Sequence, residues 1–142
     1  MIIPDINLLV YAYSTDAPSH PQARKWWEQT LSDRVPVGIP WAVITGFVRL
    51  MTSTSVFEHP LTPEQALGAV RRWLERSQVE ILNPGPRHLD ILESLLSEIR
   101  VAANLTTDAH LAAMAIEHQG EIHSNDRDFA RFRGLRWRNP LG

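Results

Sequence analysis

Residues 1–13 read MIIPDINLLVYAY, and this stretch contains the unit from which the fold is built. A short apolar run, Ile2-Ile3-Pro4, ends at Asp5, and apolar residues at helical spacing follow over residues 7–13. A short apolar run is typical of a buried strand, and a 3.6-residue period is typical of a helix. Residues 1–13 are therefore predicted to form a strand, an acidic turn and a helix.

The same alternation of short strands and longer helices continues along the chain. Four more strands are predicted, over residues 35–39, 79–82, 121–123 and 135–137. Helices are predicted over residues 20–31, 41–52, 62–74, 87–99 and 106–118, with a short one over 126–132. Strands separated by helices pair in parallel through crossover connections, which cover both faces of the sheet. The sequence therefore predicts an α/β fold.

Composition narrows the class of protein. The chain has 142 residues, no cysteine and a formal net charge of −2. This length suits a single domain spanning residues 1–142, and the near-neutral charge argues against a polybasic nucleic-acid binder. The lack of cysteine excludes disulfides, zinc–thiolate sites and iron–sulfur clusters. No apolar run approaches the roughly 18–20 residues of a membrane span, and no signal-peptide pattern is present, so we expect a cytoplasmic protein.

Four aspartates fall where a parallel sheet places its ligands, beyond the carboxyl ends of the strands. Asp5 follows the first strand, Asp126 and Asp128 follow the fourth, and Asp108 lies in the first turn of a predicted helix. Structural roles stay open for three of them: Asp108 and Asp128 as first-turn acids, and Asp126 as a helix N-cap. Asp5 lies between two apolar runs, so we expect it to be enclosed and to need a partner or a cation.

Carboxylates gathered at one point repel one another, and a divalent cation removes that cost. Mg²⁺ and Mn²⁺ prefer oxygen ligands, and water activated by such a metal can hydrolyse a phosphodiester. The chain contains no glycine-rich phosphate loop, no His-Glu-x-x-His motif and no Gly-x-Ser-x-Gly motif. The pattern therefore favours metal-assisted phosphoryl chemistry over nucleotide-cofactor, zinc-protease or serine-hydrolase chemistry.

Three motifs occur in the order Asp5-Ile6-Asn7, Thr107-Asp108-Ala109-His110 and Ser124-Asn125-Asp126-Arg127-Asp128-Phe129. This order resembles the PIN-domain ribonucleases, in particular the VapC toxins of bacterial type II toxin–antitoxin systems, over essentially the whole chain. The resemblance implies a three-layer α/β/α sandwich with a parallel sheet of about five strands. It also implies a toxic endoribonuclease that depends on Mg²⁺ or Mn²⁺, with tRNA or ribosomal RNA loops as targets. A VapB-like antitoxin and a homodimer are the implied protein partners.

The resemblance also assigns roles to individual residues. It gives Asp5, Asp108 and Asp126 as metal ligands and catalytic acids, with Asp128 as an auxiliary catalytic acid. Asn7 and Thr107 would then hydrogen-bond to the carboxylates or to metal-bound water.

The chain departs from the family at Gly46, where many PIN domains carry a glutamate in the helix after the second strand. A mid-helix glycine costs about 1 kcal/mol relative to alanine, so close packing or room for a ligand is expected there. With one acid fewer, we expect one well-held metal on Asp5 and Asp108. Arg49, one turn further along the helix, could contact a phosphate or pair with an acid.

Basic and aromatic residues supply further candidate RNA contacts. Five arginines and one acid lie between residues 127 and 138, and Arg127 is the candidate phosphate contact among them. A solvated surface is the alternative for this stretch. The five tryptophans could offer stacking faces for bases, but Trp41 and Trp73 lie on apolar helix faces and are expected in the core or an interface. Trp26 and Trp27 are adjacent on one helix, so one of them is expected to face a partner.

Two other functions stay open. The first is a PIN-fold module that holds RNA or a protein but cuts poorly, which Gly46 suggests. The second is a phosphatase or receiver-like protein with Asp5 as nucleophile or phosphoacceptor. Such sites normally need a nearby lysine, and the single lysine, Lys25, lies within the predicted helix between the first two strands. The second function is therefore disfavoured.

Overall fold

Strands and helices alternate along the chain in a computed structural model that describes residues 1–99 and 103–142. The strands are β1 (Ile2–Pro4), β2 (Val37–Pro40), β3 (Val79–Leu82), β4 (Glu121–His123) and β5 (Arg136–Arg138). The α-helices are α1 (Ile6–Tyr13), α2 (His20–Ser32), α3 (Trp41–Met51), α4 (Pro63–Leu74), α5 (His88–Ser97) and α6 (Thr106–Glu117). Two short 3₁₀ helices span Ala103–Leu105 and Arg127–Arg131. Within this described part, no helix combines the length and apolar character needed to cross a membrane.

The five strands form one parallel sheet in the order β3-β2-β1-β4-β5. Ile2 pairs with Val37 of β2 on one side and with Glu121 of β4 on the other. Because parallel neighbours need crossover connections, the helices lie on both faces of the sheet. The predicted three-layer α/β/α fold with about five parallel strands is confirmed. The register places the carboxyl ends of β1 and β4 side by side, since Pro4 pairs with His123.

Element boundaries differ from the sequence predictions by one or two residues. The second strand begins at Val37 rather than at residue 35, because Pro36 has no N–H to donate to the ladder. The Pro36 carbonyl instead accepts a hydrogen bond from the Ile2 backbone at 2.8 Å. The predicted cap at Thr62 is confirmed: Thr62 and Gln65 form a reciprocal capping box at the start of α4.

An aromatic cluster packs α1, α3 and α4 together. The Trp73 ring centroid lies 4.8 Å from that of Phe47 and 5.9 Å from that of Tyr13. The Trp73 indole N–H also donates a hydrogen bond to the Tyr13 hydroxyl at 2.7 Å. This cluster fixes α1, whose first turn follows Asp5, against α3.

One expectation about tryptophan is wrong, and a second is wrong in part. Trp26 and Trp27 are both buried, at 8% and 2% exposure, although one of them was expected to face a partner. They diverge from α2 into two different contacts: the Trp26 indole N–H donates to His123 of β4, and Trp27 packs edge-on against Trp73. Trp41 was expected in the core or an interface; it lies outside the core, at 53% exposure, because the core-facing side of α3 is formed by other residues, and an interface position stays a prediction.

Candidate active site

The predicted acids converge at the carboxyl edge of β1 and β4. Asp5 directly follows β1, and its backbone N–H donates to the His123 carbonyl of β4 at 2.9 Å. Asp126 and Asp128 follow β4 by a few residues, and Asp108 lies in the first turn of α6, which packs on β4. Two neighbouring strand ends and one helix start therefore bring the four carboxylates into one region.

Asp5 is the most enclosed of the four acids, with 5% of its surface exposed. One carboxylate oxygen accepts the Ile6 backbone N–H at 2.8 Å, which makes Asp5 the N-cap of α1. The other oxygen accepts the Ser124 hydroxyl at 2.6 Å. The Ser124 Oγ in turn accepts the Asp126 backbone N–H at 3.0 Å. This chain of hydrogen bonds locks the turn after β4 to the end of β1.

The three other acids form a tighter group. One carboxylate oxygen from each of Asp108, Asp126 and Asp128 lies within 4.8 Å of the others, and all three residues are half-buried. Asp126 also accepts the Asp128 backbone N–H at 2.9 Å, so it caps the 3₁₀ helix as the structural alternative predicted. Arg131 approaches Asp128 at 3.4 Å, and this ion pair is open to solvent, with 62% of the Arg131 side chain and 44% of the Asp128 side chain exposed. Capping and a metal-ligand role are compatible, because a carboxylate has spare lone pairs.

Burial and mutual repulsion raise the pKa values of two acids. The pKa of Asp108 rises to about 6, first because of burial and then because of the charges of Asp5, Asp126 and Asp128. The pKa of Asp5 is raised by burial, which outweighs the hydrogen bonds from Ser124 and Ile6. Without a cation, the site therefore resists full ionisation near neutral pH.

The donor set fits a hard divalent cation. It consists of carboxylate oxygens, the ligands that Mg²⁺ and Mn²⁺ prefer, and the repulsion that raises the Asp108 pKa is what a dication relieves. The closest group is Asp108, Asp126 and Asp128, whereas the predicted ligand set was Asp5, Asp108 and Asp126. Asp5 lies beside this group and is tied to it through Ser124.

Metal-induced stabilisation is expected to depend on pH. A ligand carboxylate must lose its proton, and Asp108, with a pKa of about 6, still holds one at pH 5. We expect excess Mn²⁺ to raise the melting temperature strongly at pH 7.5 and weakly at pH 5, measured against metal-free protein at each pH. Comparing samples at the same pH cancels the titration of the histidines. An equal shift at both pH values would contradict this expectation.

Ser124 was missed as a functional residue by the sequence analysis. It is fully buried, and replacing it with alanine would remove the hydrogen bonds to one carboxylate oxygen of Asp5 and to the Asp126 N–H, while the other Asp5 oxygen keeps its bond from Ile6. The only sequence signal was its position directly after a strand in the Ser124-Asn125-Asp126 motif.

We expect Ser124→Ala to lower the free energy of unfolding by about 1–3 kcal/mol, because polar groups in the interior lose their hydrogen-bond partner. We also expect metal-dependent RNA cleavage to fall by about 10–100-fold, since residues that orient metal ligands have effects of this size. The matched control is Ser97→Ala, because the Ser97 hydroxyl is exposed and donates its hydrogen bond to the Ser94 carbonyl, away from the acids. Denaturant unfolding and a cleavage assay check the two effects, and equal behaviour of both variants would refute the role given to Ser124.

Close packing explains the glycine at position 46, as one of the two expectations for this position stated. A Cβ added to Gly46 would lie 2.5 Å from Cδ1 of Ile6, so the Ile6 side chain occupies the space beside α3. A glutamate at position 46 would have to displace Ile6, the residue next to Asp5. Asp128, whose carboxylate lies in the close group with Asp108, supplies an acid that does not depend on α3.

Four other predicted site residues are exposed. Asn7 and Thr107 make no hydrogen bond to the acids within residues 1–99 and 103–142, and their predicted contacts with metal-bound water stay predictions. Arg49 lies on the solvent side of α3, one turn after Gly46. Arg127 opens the 3₁₀ helix between Asp126 and Asp128. Neither arginine forms an ion pair with another residue of the described chain, so both remain available for a phosphate.

Comparison with known proteins agrees with this geometry. The PIN domain family model matches residues 2–135. Ribonuclease VapC33 of Mycobacterium tuberculosis is 48% identical over 141 residues, covering 99% of both chains. Ribonuclease VapC37 of the same organism is 42% identical over 140 residues, covering 99% of this chain and 97% of its own length. VapBC2 from Rickettsia felis, solved with a promoter DNA fragment, has the same fold, with a TM-score of 0.66, 19% identity and 98% coverage of both chains. The chain therefore belongs to the PIN-domain family, and within it to the VapC proteins.

Proposed function

We propose that this protein is the toxic component of a type II toxin–antitoxin system, a metal-dependent endoribonuclease that hydrolyses RNA phosphodiester bonds. The observation that carries the proposal is the group of carboxylates at the sheet edge, in a chain similar over its full length to named VapC ribonucleases. We assign the activity to residues 1–142 as a single cytoplasmic domain. The metal is Mg²⁺ or Mn²⁺, and the RNA is a tRNA or ribosomal RNA.

Asp108, Asp126 and Asp128 would hold the metal, with Asp5 beside them. A bound Mg²⁺ or Mn²⁺ lowers the pKa of coordinated water and neutralises charge that develops on the phosphate. Asp108 must give up its proton for this site to fill, and its pKa of about 6 lets it do so at neutral pH. Ser124 and the backbone of Ile6 hold the Asp5 carboxylate in one orientation.

Arg49 and Arg127 would bind the RNA backbone close to these acids. Both are exposed and have no carboxylate partner in the described part of the chain, so their charge is available to phosphates. The acids themselves repel RNA, which makes nearby cations necessary for binding. Arginine suits this role because its planar guanidinium can bond two phosphate oxygens at once.

A VapB-type antitoxin is the proposed inhibitor. VapBC2 from Rickettsia felis is an example of a VapC-type fold in such a pair. A basic side chain of the antitoxin placed among the four carboxylates would compete with the metal, because it relieves the same repulsion. Homodimer formation stays a prediction.

The test is cleavage of total cellular RNA by purified, antitoxin-free protein, with Mg²⁺, Mn²⁺ or EDTA, followed by mapping of new 5′ ends. We expect discrete cuts that disappear with EDTA and in Asp5→Ala. Cleavage by Asp5→Ala equal to that of the wild type would refute the assignment. Binding of RNA without cleavage, in folded protein with either metal, would favour the alternative of a PIN-fold binding module.

A further inference from the structure

The exposed Trp41 has no role in the proposed function. At 53% exposure it differs from Trp26, Trp27 and Trp73, which are buried. Trp137 is half-buried and donates its indole N–H to the Ser124 carbonyl at 2.9 Å. Within residues 1–99 and 103–142, the Trp41 indole has neither a hydrogen bond nor a ring contact. The exposed half of this residue is therefore open to a ligand.

The sheet register places Trp41 beside the acids. Ile2 of β1 pairs with Val37 of β2, and three steps along both strands bring Asp5 level with Pro40. Trp41 directly follows Pro40, and neighbouring strands lie about 4.8 Å apart. A packing contact supports this placement, because α3 packs at Gly46 against Ile6, the residue after Asp5. Trp41 thus lies at the same edge of the sheet as Asp5.

The solvent side of α3 combines this ring with a cation. Trp41, Thr45 and Arg49 are spaced four residues apart, so they form one exposed row along the helix. Core contacts are made by the opposite side of α3, through Val43, Ile44, Phe47 and Met51. An aromatic face and an unpaired guanidinium next to a cleavage site are the two elements that single-stranded nucleic-acid binding uses.

We infer that Trp41 stacks on a nucleobase of single-stranded RNA next to the scissile phosphate, and that Arg49 holds a phosphate further along the same strand. The inference rests on the proposed function and adds a residue that positions the substrate. Stacking orders the nucleotide beside the metal-binding acids without requiring any particular base, since every base has a π face. It therefore requires an unpaired nucleotide at the cut.

The experiment measures kcat/KM on a short RNA that carries the mapped cleavage site. We expect Trp41→Ala to lower kcat/KM about 10-fold or more, mainly through KM, and Trp41→Phe to restore most of it. Leu89→Ala is the control, because Leu89 is an exposed apolar residue at 73% exposure that has no assigned role. An RNA with one abasic nucleotide beside the cut should lower kcat/KM of the wild type by a similar factor. The same RNA should not lower kcat/KM of Trp41→Ala any further.

Three results would overturn the inference. The first is a kcat/KM of Trp41→Ala within about twofold of the wild type, and the second is an abasic penalty that is equal in both proteins. The third is a changed sedimentation coefficient of Trp41→Ala without RNA, which would assign the ring to a contact between protein chains.

RNA binding by the Asp108→Asn protein, measured by fluorescence anisotropy, separates this inference from the nuclease proposal. If the wild type cuts no RNA, the nuclease proposal fails. RNA binding still decides the role of Trp41: weaker binding after Trp41→Ala is added to Asp108→Asn supports stacking, and unchanged binding refutes it.

Discussion

Asp108→Asn is expected to abolish metal-dependent RNA cleavage and, at the same time, to make the metal-free protein more stable. The amide keeps the shape of the side chain but removes a charge that faces Asp5, Asp126 and Asp128. Because residues that merely orient metal ligands cost about 10–100-fold, loss of a ligand should cost at least about 100-fold in activity. Cleavage of the mapped RNA substrate in Mn²⁺ measures the loss.

The sign of the stability change follows from the Asp108 pKa. The folded protein raises it from 3.8 to about 6, so the folded state binds the Asp108 proton more tightly than the unfolded state. Stability due to this group is present below about pH 4 and is lost as the pH rises to about 6. At pH 7.5 without metal, Asp108→Asn removes the repulsion and desolvation that the ionised Asp108 carboxylate causes in the folded state. The melting temperature of Asp108→Asn should therefore exceed that of the wild type.

Asp90→Asn is the matched control for this prediction. Asp90 is also a first-turn acid of a helix, α5, but it is exposed and lies outside the acidic group. Its replacement should leave cleavage unchanged and should lower stability slightly, by about 0.3–1 kcal/mol, because a favourable helix-dipole interaction is lost. A destabilised Asp108→Asn, or equal cleavage by both variants, would contradict the electrostatic account of the site.

Trp73→Ala is expected to cause the largest loss of stability among single substitutions in the core. Trp73 is buried and contacts the rings of Tyr13, Trp27 and Phe47. Removing a buried aromatic side chain costs about 3–5 kcal/mol, which corresponds to a melting temperature lower by about 10 °C or more. Since this cluster holds α1 against α3, cleavage should also become heat-sensitive.

Trp73→Phe separates the ring contacts from the hydrogen bond. It keeps an aromatic ring against Phe47 but loses the indole donor to the Tyr13 hydroxyl. We expect denaturant unfolding to give a clearly smaller loss for Trp73→Phe than for Trp73→Ala. A loss below about 1 kcal/mol for Trp73→Ala would mean that the cluster is not a centre of the core.

Local sequence pattern was sufficient to predict the strand–helix alternation, the parallel sheet and the edge at which the aspartates meet. Each of these depends on neighbouring residues: Asp5 ends a strand, and Asp108 lies in the first turn of a helix. The Asp5–Ser124 hydrogen bond was beyond such a pattern, because it joins residues 119 positions apart. It depends on β1 and β4 being sheet neighbours, which strand order along the chain does not specify.

The prediction for Trp26 and Trp27, and the core position predicted for Trp41, failed for a related reason. Residues 41–44 of α3 are all apolar, so the 3.6-residue period does not indicate which of them faces solvent. Trp26 and Trp27 could both be buried only because Trp73 and His123 meet them from two different elements. The glycine at position 46 also depends on a tertiary contact, because the packed Ile6 side chain fills the space that a larger side chain would need.

Titration calorimetry of Mn²⁺ into metal-free protein at pH 7.5 shows whether these carboxylates form a divalent-metal site. We expect one well-held ion per chain for the wild type and for Asp90→Asn, and loss of that binding in Asp108→Asn. Absence of binding to folded wild-type protein, or undiminished binding to Asp108→Asn, would contradict this expectation.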